Sequence, residues 1–408
     1  MQRAHKTRIY PNDRQCSYLV ACCGAARFAY NKCLEQWERD YRAGDGVSHN
    51  YYSIKKWFNG VKGELFPWTY QYPKSIYDAA IQNLADGYDA FFSGQRNHPR
   101  FHKKGRRDSF RIDGDRIKFD GKYMTLPGAS GLKLPERFRT IKMAEPLRYD
   151  ATKIYNVTVS QRAGMWFVSI CCEVEDVPNE SHNAVGIDLG VKELATLSDG
   201  TVVHNPKLYR KRERRMKHLQ REVSRKQKGS ANRRKAKLRL ARYQYRTACM
   251  RQDYIHKATT EIANQYGIVF MEDLNVGGMT KSHHLAKSIQ DASFSEFARQ
   301  LSYKASVFKV DRFFPSSQLC SGCGRRQKMP LDVRTYECPN CGLEIDRDLN
   351  AAINIRNVGA VCSEFMPVEG VDAPSWCYDW VAERPAKQES TSNPAQDCVR
   401  IERQVRHA

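Results

Sequence analysis

Ala184-Val185-Gly186-Ile187-Asp188-Leu189-Gly190 is an apolar run closed by glycine, with a single carboxylate inside it. A run of this kind reads as a buried strand, and a charge within one is costly unless it is paired or bound to a metal. Taken alone, Asp188 is best explained as a strand-end residue bonded to the turn at Gly190. Two later segments change that balance. Gly267-Ile268-Val269-Phe270-Met271-Glu272 is a second apolar run ending in a carboxylate, and Asp346-Arg347-Asp348-Leu349-Asn350-Ala351-Ala352 opens a helix with two more. Helical neighbours lie three and four apart, so Asp348 heads the row of Ala351, Ala352 and Ile355, whose small members let it approach a sheet. Asp346 lies on another row and suits the helix start, where the dipole favours an anion. Asp188, Glu272 and Asp348, converging from two strands and a helix, could hold two divalent ions about 3.5 to 4 Å apart, the arrangement of a nuclease acting on phosphodiesters.

The surrounding elements follow from the same patterns. Residues 184–190, 193–198 and 201–204, with a turn at Asp199-Gly200, predict a three-stranded meander. Lys207 to Tyr266 predicts long basic helices broken at Gly229-Ser230. Residues 294–308 read as helix and Val310 to Phe314 as one more strand. Between these and the final helix stand Cys320-x-x-Cys323 and Cys338-x-x-Cys341, with Gly at 322, 324 and 342. Paired knuckles at this separation let four thiolates close a tetrahedral site, which predicts one structural Zn2+ with no open coordination position.

Upstream, residues 4–10 read as a strand ended by Pro11. Asn12 with Gln15 forms a capping box, and Leu19, Cys23, Ala26, Tyr30, Cys33 and Trp37 recur at helical spacing, a core stripe without chemistry. After an aromatic-rich stretch containing Tyr51, Tyr52, Trp57 and Phe58, Pro73 precedes a second helix with Lys74 and Asp78 on its first turns. The basic run Arg100-Phe101-His102-Lys103-Lys104-Gly105-Arg106-Arg107 suits a nucleic-acid backbone or a solvated loop. From Ser109 to Val174 the period becomes two, with hairpin turns at Asp120-Gly121 and Ala163-Gly164, which predicts an antiparallel β module, a barrel that residues 4–10 could join.

The chain has 408 residues, with 67 Lys and Arg against 45 Asp and Glu, a net charge of +22. Because the excess falls in blocks, it favours a polyanionic partner, nucleic acid first. No run has the apolar length of a membrane span and the N-terminus has no signal core. A soluble cytoplasmic protein, nucleoid-associated when bound to DNA, is expected. Among the 14 cysteines, Cys22, Cys23, Cys33, Cys171 and Cys172 sit at apolar positions and suit reduced core thiols.

Several segments together resemble the TnpB (OrfB) proteins of insertion sequences, compact relatives of type V CRISPR effectors: RIYPNDRQ, RFAYNKCL, HPRFHKKG, VGIDLGVKELATLSDG, RKQKGSANRRKAKLRLAR, RQDYIHK, FMEDLNVGGM, FFPSSQLCSGCG and CPNCG followed by DRDLNAAINIR. They cover nearly everything from residue 4 to about 357. The resemblance implies a multidomain α+β chain. Residues 1–10 and 108–180 would form a WED/OB-like β-barrel module, 11–107 an inserted helical recognition (REC) module, 181–315 and 343–358 an RNase H-like (RuvC) nuclease domain and 316–342 its inserted zinc ribbon. The tail 359–408 is expected to be disordered. It further implies RNA-guided cleavage of double-stranded DNA beside a short adjacent motif, by a monomer in complex with a guide RNA from the transposon end, with base pairing supplying sequence specificity. The family's acidic triad carries over onto Asp188, Glu272 and Asp348, expected to bind two Mg2+, and its zinc ligands onto Cys320, Cys323, Cys338 and Cys341. Motif reading would fall to Tyr51 or Tyr52, Lys74 and Asp78, with Arg100, Lys103, Lys104, Arg106 and Arg107 on the backbone. Some relatives carry Gln at the position of Asp78, and an acceptor-only carboxylate cannot make an amide's bidentate contact with adenine, so a different motif is expected here. The segment between Lys304 and Val310 is several residues shorter than in relatives, which puts the strand framing the ribbon in question. The rival readings are a nuclease-silent, guide-dependent DNA-binding regulator and a transposase performing strand transfer.

Overall fold

The computed structural model describes residues 2–44, 50–105, 108–175, 181–330, 332–362 and 373–382. The described residues form two compact units, one within 2–175 and one within 181–382.

In the first unit, β1 (Gln2–Tyr10) ends at Pro11, and α1 (Asp13–Ala43) starts from a reciprocal capping box between Asn12 and Gln15. Two further helices follow, α2 (Tyr51–Leu65) and α3 (Lys74–Phe92). The aromatic-rich stretch is therefore helical. Asn50 caps it through Ser53, and Ile54 and Phe58, four apart, supply its buried contacts. The strands β2 (Ser109–Asp113), β3 (Lys118–Asp120), β4 (Tyr123–Thr125), β5 (Thr140–Met143), β6 (Lys153–Arg162) and β7 (Met165–Glu173) join β1 in one sheet, with a short helix α4 (Glu136–Arg139) before β5. The order is β2-β6-β7-β1-β5-β4-β3. Since β1 lies inside this order, α1 to α3 are an insertion between a central strand and its partners. Ala163 and Gly164, both at positive φ, make the tight turn joining β6 to β7. The expected barrel is an open sheet in its hydrogen bonding: among the described residues no ladder joins β2 to β3. Its core is shared with the helices, Leu19, Tyr30 and Trp37 of α1 and Ile76 and Leu84 of α3 joining Phe110, Val157 and Val168.

The second unit is built on β8 (Ala184–Asp188), β9 (Glu193–Leu197), β10 (Val202–His204), β11 (Ile268–Glu272) and β12 (Ser306–Val310), ordered β10-β9-β8-β11-β12. The first three are antiparallel, while β11 runs parallel to both β8 and β12. Between β10 and β11 come the basic helices α5 (Leu208–Arg225) and α6 (Ala231–Gln265). Between β11 and β12 come α7 (Val276–Met279), α8 (Ala286–Ala292) and α9 (Phe294–Leu301). The helix expected to reach residue 308 stops at Leu301, and the strand expected at 310–314 is β12, four residues earlier. Pairing of Val307 and Phe308 with Val269 and Phe270 overrides the helical spacing. The framing strand therefore forms within the short segment itself.

Strand alternation divides the second unit's core. Val185, Ile187, Val269 and Met271 pack with Ile255 and Ile262 of α6 and with Phe294, Phe297 and Leu301 of α9. Ala184, Ile268, Phe270 and Phe308 point the other way and meet Ile355 and Val358 of a later helix. The ribbon carries the hairpin β13 (Thr335–Glu337) and β14 (Glu344–Asp346), followed by that helix, α10 (Arg347–Cys362), and by α11 (Ser375–Ala382). The tail expected to be disordered from 359 is thus helical through Cys362 and again over Ser375–Ala382. Cys377 is fully buried in the α10 cluster and the Trp376 ring packs against Gly324 of the ribbon, apolar burial that the tail's polar composition concealed. The remainder of the tail lies outside the described residues. No helix among the described residues is long and apolar enough to cross a membrane.

Candidate functional site

Asp188 and Glu272 end adjacent parallel strands whose register pairs Phe270 with Gly186 and Met271 with Ile187, so the two carboxylates come next in line. By alternation both share the face of Gly186 and Phe270, the face covered by α10. The helix approaches that face at backbone distance. A Cβ on Gly186 would lie 2.1 Å from the Ala352 carbonyl oxygen and 2.5 Å from the Arg356 nitrogen, so only glycine fits. From this contact, two residues along the strand to Asp188 advance about 6.6 Å. Four residues back along the helix to Asp348 advance about 6 Å. The two carboxylates therefore arrive at the same end of the sheet.

The electrostatics agree with this geometry. Burial first, then the negative charges of Glu272 and Asp348, push the Asp188 carboxyl up to about 8, with the neighbouring Arg347 cation opposing them and Asp346 adding a smaller push. Glu272 is likewise raised by burial and partly restored by the Ser316 hydroxyl, which donates to its Oε1. Asp348 is a quarter exposed, with the Arg334 guanidinium 3.9 Å away. The neighbouring carboxylates do other work. Asp346 accepts the backbone N–H of Asp348 at 2.9 Å and of Leu349 at 3.1 Å, a helix-start contact. Asp273 is ion-paired to Lys309 and Arg312, which hold its carboxyl below the usual range. A half-buried cluster of hard oxygen donors, one of them raised by the charges of the other two, is the chemistry that a divalent cation relieves.

Cys320, Cys323, Cys338 and Cys341 bring their sulfurs within 4.8 Å of one another, the one group of three or more such ligand atoms so close among the described residues. The carboxylate set is looser. The Cys320–Cys341 and Cys323–Cys338 sulfur pairs stand 3.5 and 3.6 Å apart, too far for disulfides. A tetrahedral zinc with Zn–S bonds of about 2.3 Å needs edges of about 3.8 Å, so the four residues fit that ion. Gly324 and Gly342, at φ +72 and +73, close the two knuckles. Tyr336, fully buried, ties them together by donating to the carbonyls of Gln318 and Arg325.

In the first unit Tyr52 is 78% exposed and Lys74 is exposed. Lys55, which sequence reasoning missed, links two of the named residues. Its ammonium donates to the Tyr51 hydroxyl at 2.7 Å and pairs with Asp78 at 3.4 Å, so Asp78 is engaged by a cation of its own chain. Arg100, Lys103 and Lys104 are exposed on a segment that Asn31 of α1 grips through both backbone groups of His102. Arg106 and Arg107 lie outside the described residues.

Ser316, Asn350 and Asn354 were also missed. Asparagines at 350, 354 and 357, four and three apart beside Ala351 and Ile355, were a readable signal, because buried amides need partners. Nothing in the sequence singles out Ser316.

Three family profiles match the chain: one described as "Probable transposase" over residues 169–283, a Cas12f1-like TNB domain over 294–355 and a helix-turn-helix domain over 1–46. Within the last span the structure has a strand and one continuous helix up to residue 43. A Streptomyces pristinaespiralis protein named "Putative RNA-guided DNA endonuclease" is 36% identical, the match covering 89% of this chain and 90% of that protein. An Escherichia coli K12 protein, "Putative RNA-guided DNA endonuclease InsQ", is 30% identical over 88% of this chain and 92% of its own length. Among solved structures, that of a Cas12f1-sgRNA-target DNA complex has the same fold, with a TM-score of 0.51 and 12% identity over 88% of this chain and 99% of that one. With relatives this similar over nearly their whole length, the chain belongs to the TnpB (OrfB) family.

Proposed function

We propose that this chain is an RNA-guided DNA endonuclease that hydrolyses target DNA at a centre formed by Asp188, Glu272 and Asp348. The observation that carries the reading is their convergence: the register of β8 with β11 and the approach of α10 to Gly186 bring three carboxylates distant in sequence to one end of the sheet. The mixed five-stranded sheet with an acid-bearing helix across one face supports an RNase H-like (RuvC) domain interrupted by the ribbon. Names of full-length relatives and the net charge of +22 support RNA and DNA as partners.

Asp188, Glu272 and Asp348 would hold two Mg2+. When bound, such ions activate water and stabilise the leaving oxygen. The chain's own contribution is placement. The strand register levels Asp188 with Glu272, Gly186 admits the helix that brings Asp348, and Arg347 offsets part of their repulsion. Zinc held by the four cysteines would be structural, since no ligand position stays open. Tyr51, Tyr52, Lys74 and Asp78 are assigned to motif reading, and Arg100, Lys103, Lys104, Arg106 and Arg107 to the nucleic-acid backbone. Residues 1–10 with 108–180 form the WED-like module, 11–107 the recognition module, and 181–315 with 343–358 the nuclease domain around the ribbon at 316–342.

The test is cleavage of a guide-matched duplex by the purified chain with Mg2+ and RNA from the flanking DNA. Free cut ends that disappear in Asp188→Ala, with guided DNA binding retained, are expected. Binding without cleavage would make the protein a regulator, and joined strands would make it a transposase.

A further inference from the structure

The chain enters the zinc ribbon through Pro315 to Ser321, and this short segment contacts both candidate centres. Ser316 is 5% exposed and its hydroxyl donates to Glu272 Oε1. Its backbone carbonyl accepts from Asn354 Nδ2 at 2.8 Å. The Leu319 carbonyl accepts from both Asn350 Nδ2 at 2.7 Å and Asn354 Nδ2 at 2.8 Å, and Asn350 Oδ1 accepts the Ser321 N–H at 2.9 Å. Asn350 and Asn354 are fully buried. They lie one turn apart on α10, the helix whose first turn carries Asp348. Cys320, the first zinc ligand, is thus flanked by two backbone groups bonded to Asn350. One helix therefore delivers one carboxylate directly and governs a second through Ser316.

We propose that Ser316 is a positioning residue that fixes the Glu272 carboxylate for cation binding, held in place by the Asn350 and Asn354 clamp. The inference rests on the reading of Asp188, Glu272 and Asp348 as a metal centre. Partners that orient a metal-ligating group are worth about 10- to 100-fold in metal affinity. A buried hydroxyl donating to one carboxylate oxygen leaves the other free to face a cation and stops the side chain from rotating away.

The experiment is a calorimetric titration of the purified full-length chain with Mn2+, comparing the unsubstituted protein with Ser316→Ala, Ser316→Thr and Asp188→Ala. Zinc content and thermal midpoint are measured on each. Binding removed by Asp188→Ala defines the site. Ser316→Ala is expected to weaken it about tenfold, Ser316→Thr to restore it, and both to keep their zinc and midpoint. Unweakened binding in Ser316→Ala would overturn the proposal, as would a weakening accompanied by zinc loss or a lowered midpoint, which marks a merely structural role. No Asp188-dependent binding in the unsubstituted chain would overturn the metal-centre reading itself, and the inference with it.

Discussion

The zinc ribbon and the carboxylate centre are both built from acidic ligand groups, yet they are assembled in opposite ways. The ribbon's four sulfurs come from two tight turns, the second of which closes the β13–β14 hairpin, and they stand close together. The carboxylates come from β8, β11 and α10, separated in the chain by a pair of long basic helices and by the ribbon itself. They meet only because a sheet register and a helix packing are both correct. A local site is thus encoded in its own spacing. A non-local one is encoded in the packing that surrounds it, so damage far from its ligands should disable it.

That contrast can be broken or sharpened by substitution. The largest effect should come from Cys338→Ser. Structural zinc contributes about 10 to 16 kcal/mol to folding in small domains, so loss of one ligand should empty and unfold the ribbon, read as bound zinc by elemental analysis. Gly186→Ala comes next. It touches no ligand, but its Cβ meets helix backbone that cannot yield without moving α10. A loss near the upper end of about 1–3 kcal/mol is expected, read as a lower thermal midpoint, with cleavage falling while zinc stays bound. Unchanged cleavage in Gly186→Ala would erase the distinction between the two sites. The smallest effect is expected from Asp346→Ala, which removes a helix-start acceptor and the least of the charges acting on Asp188, and should cost about 1 kcal/mol with cleavage retained.

How far the sequence could be read follows the same division. The capping box at Asn12, the turn at Ala163-Gly164 and the four-cysteine spacing are local, and the structure has each where the pattern predicts it. The strand β12 and the helix α11 were misread and the helix α2 was not assigned, because their states depend on partners: β11 for the first, the α10 cluster for the second, and Ile54 and Phe58 burial for the third. Barrel closure was over-read from alternation, which specifies faces of a sheet but not whether its edges meet. At the candidate centre, Asp188, Glu272 and Asp348 could be picked from apolar context and helical rows. Ser316 could not, because its role is set by the neighbour it finds in space.

The most direct measurement of the central claim is Mg2+-dependent cleavage of a guide-matched duplex by Asp348→Ala beside Asp346→Ala, two carboxylates one residue apart on either side of Arg347. Cleavage should vanish in the first and persist in the second, with guided binding intact in both. Persistence in Asp348→Ala, or loss confined to Asp346→Ala, would contradict the assignment of the centre.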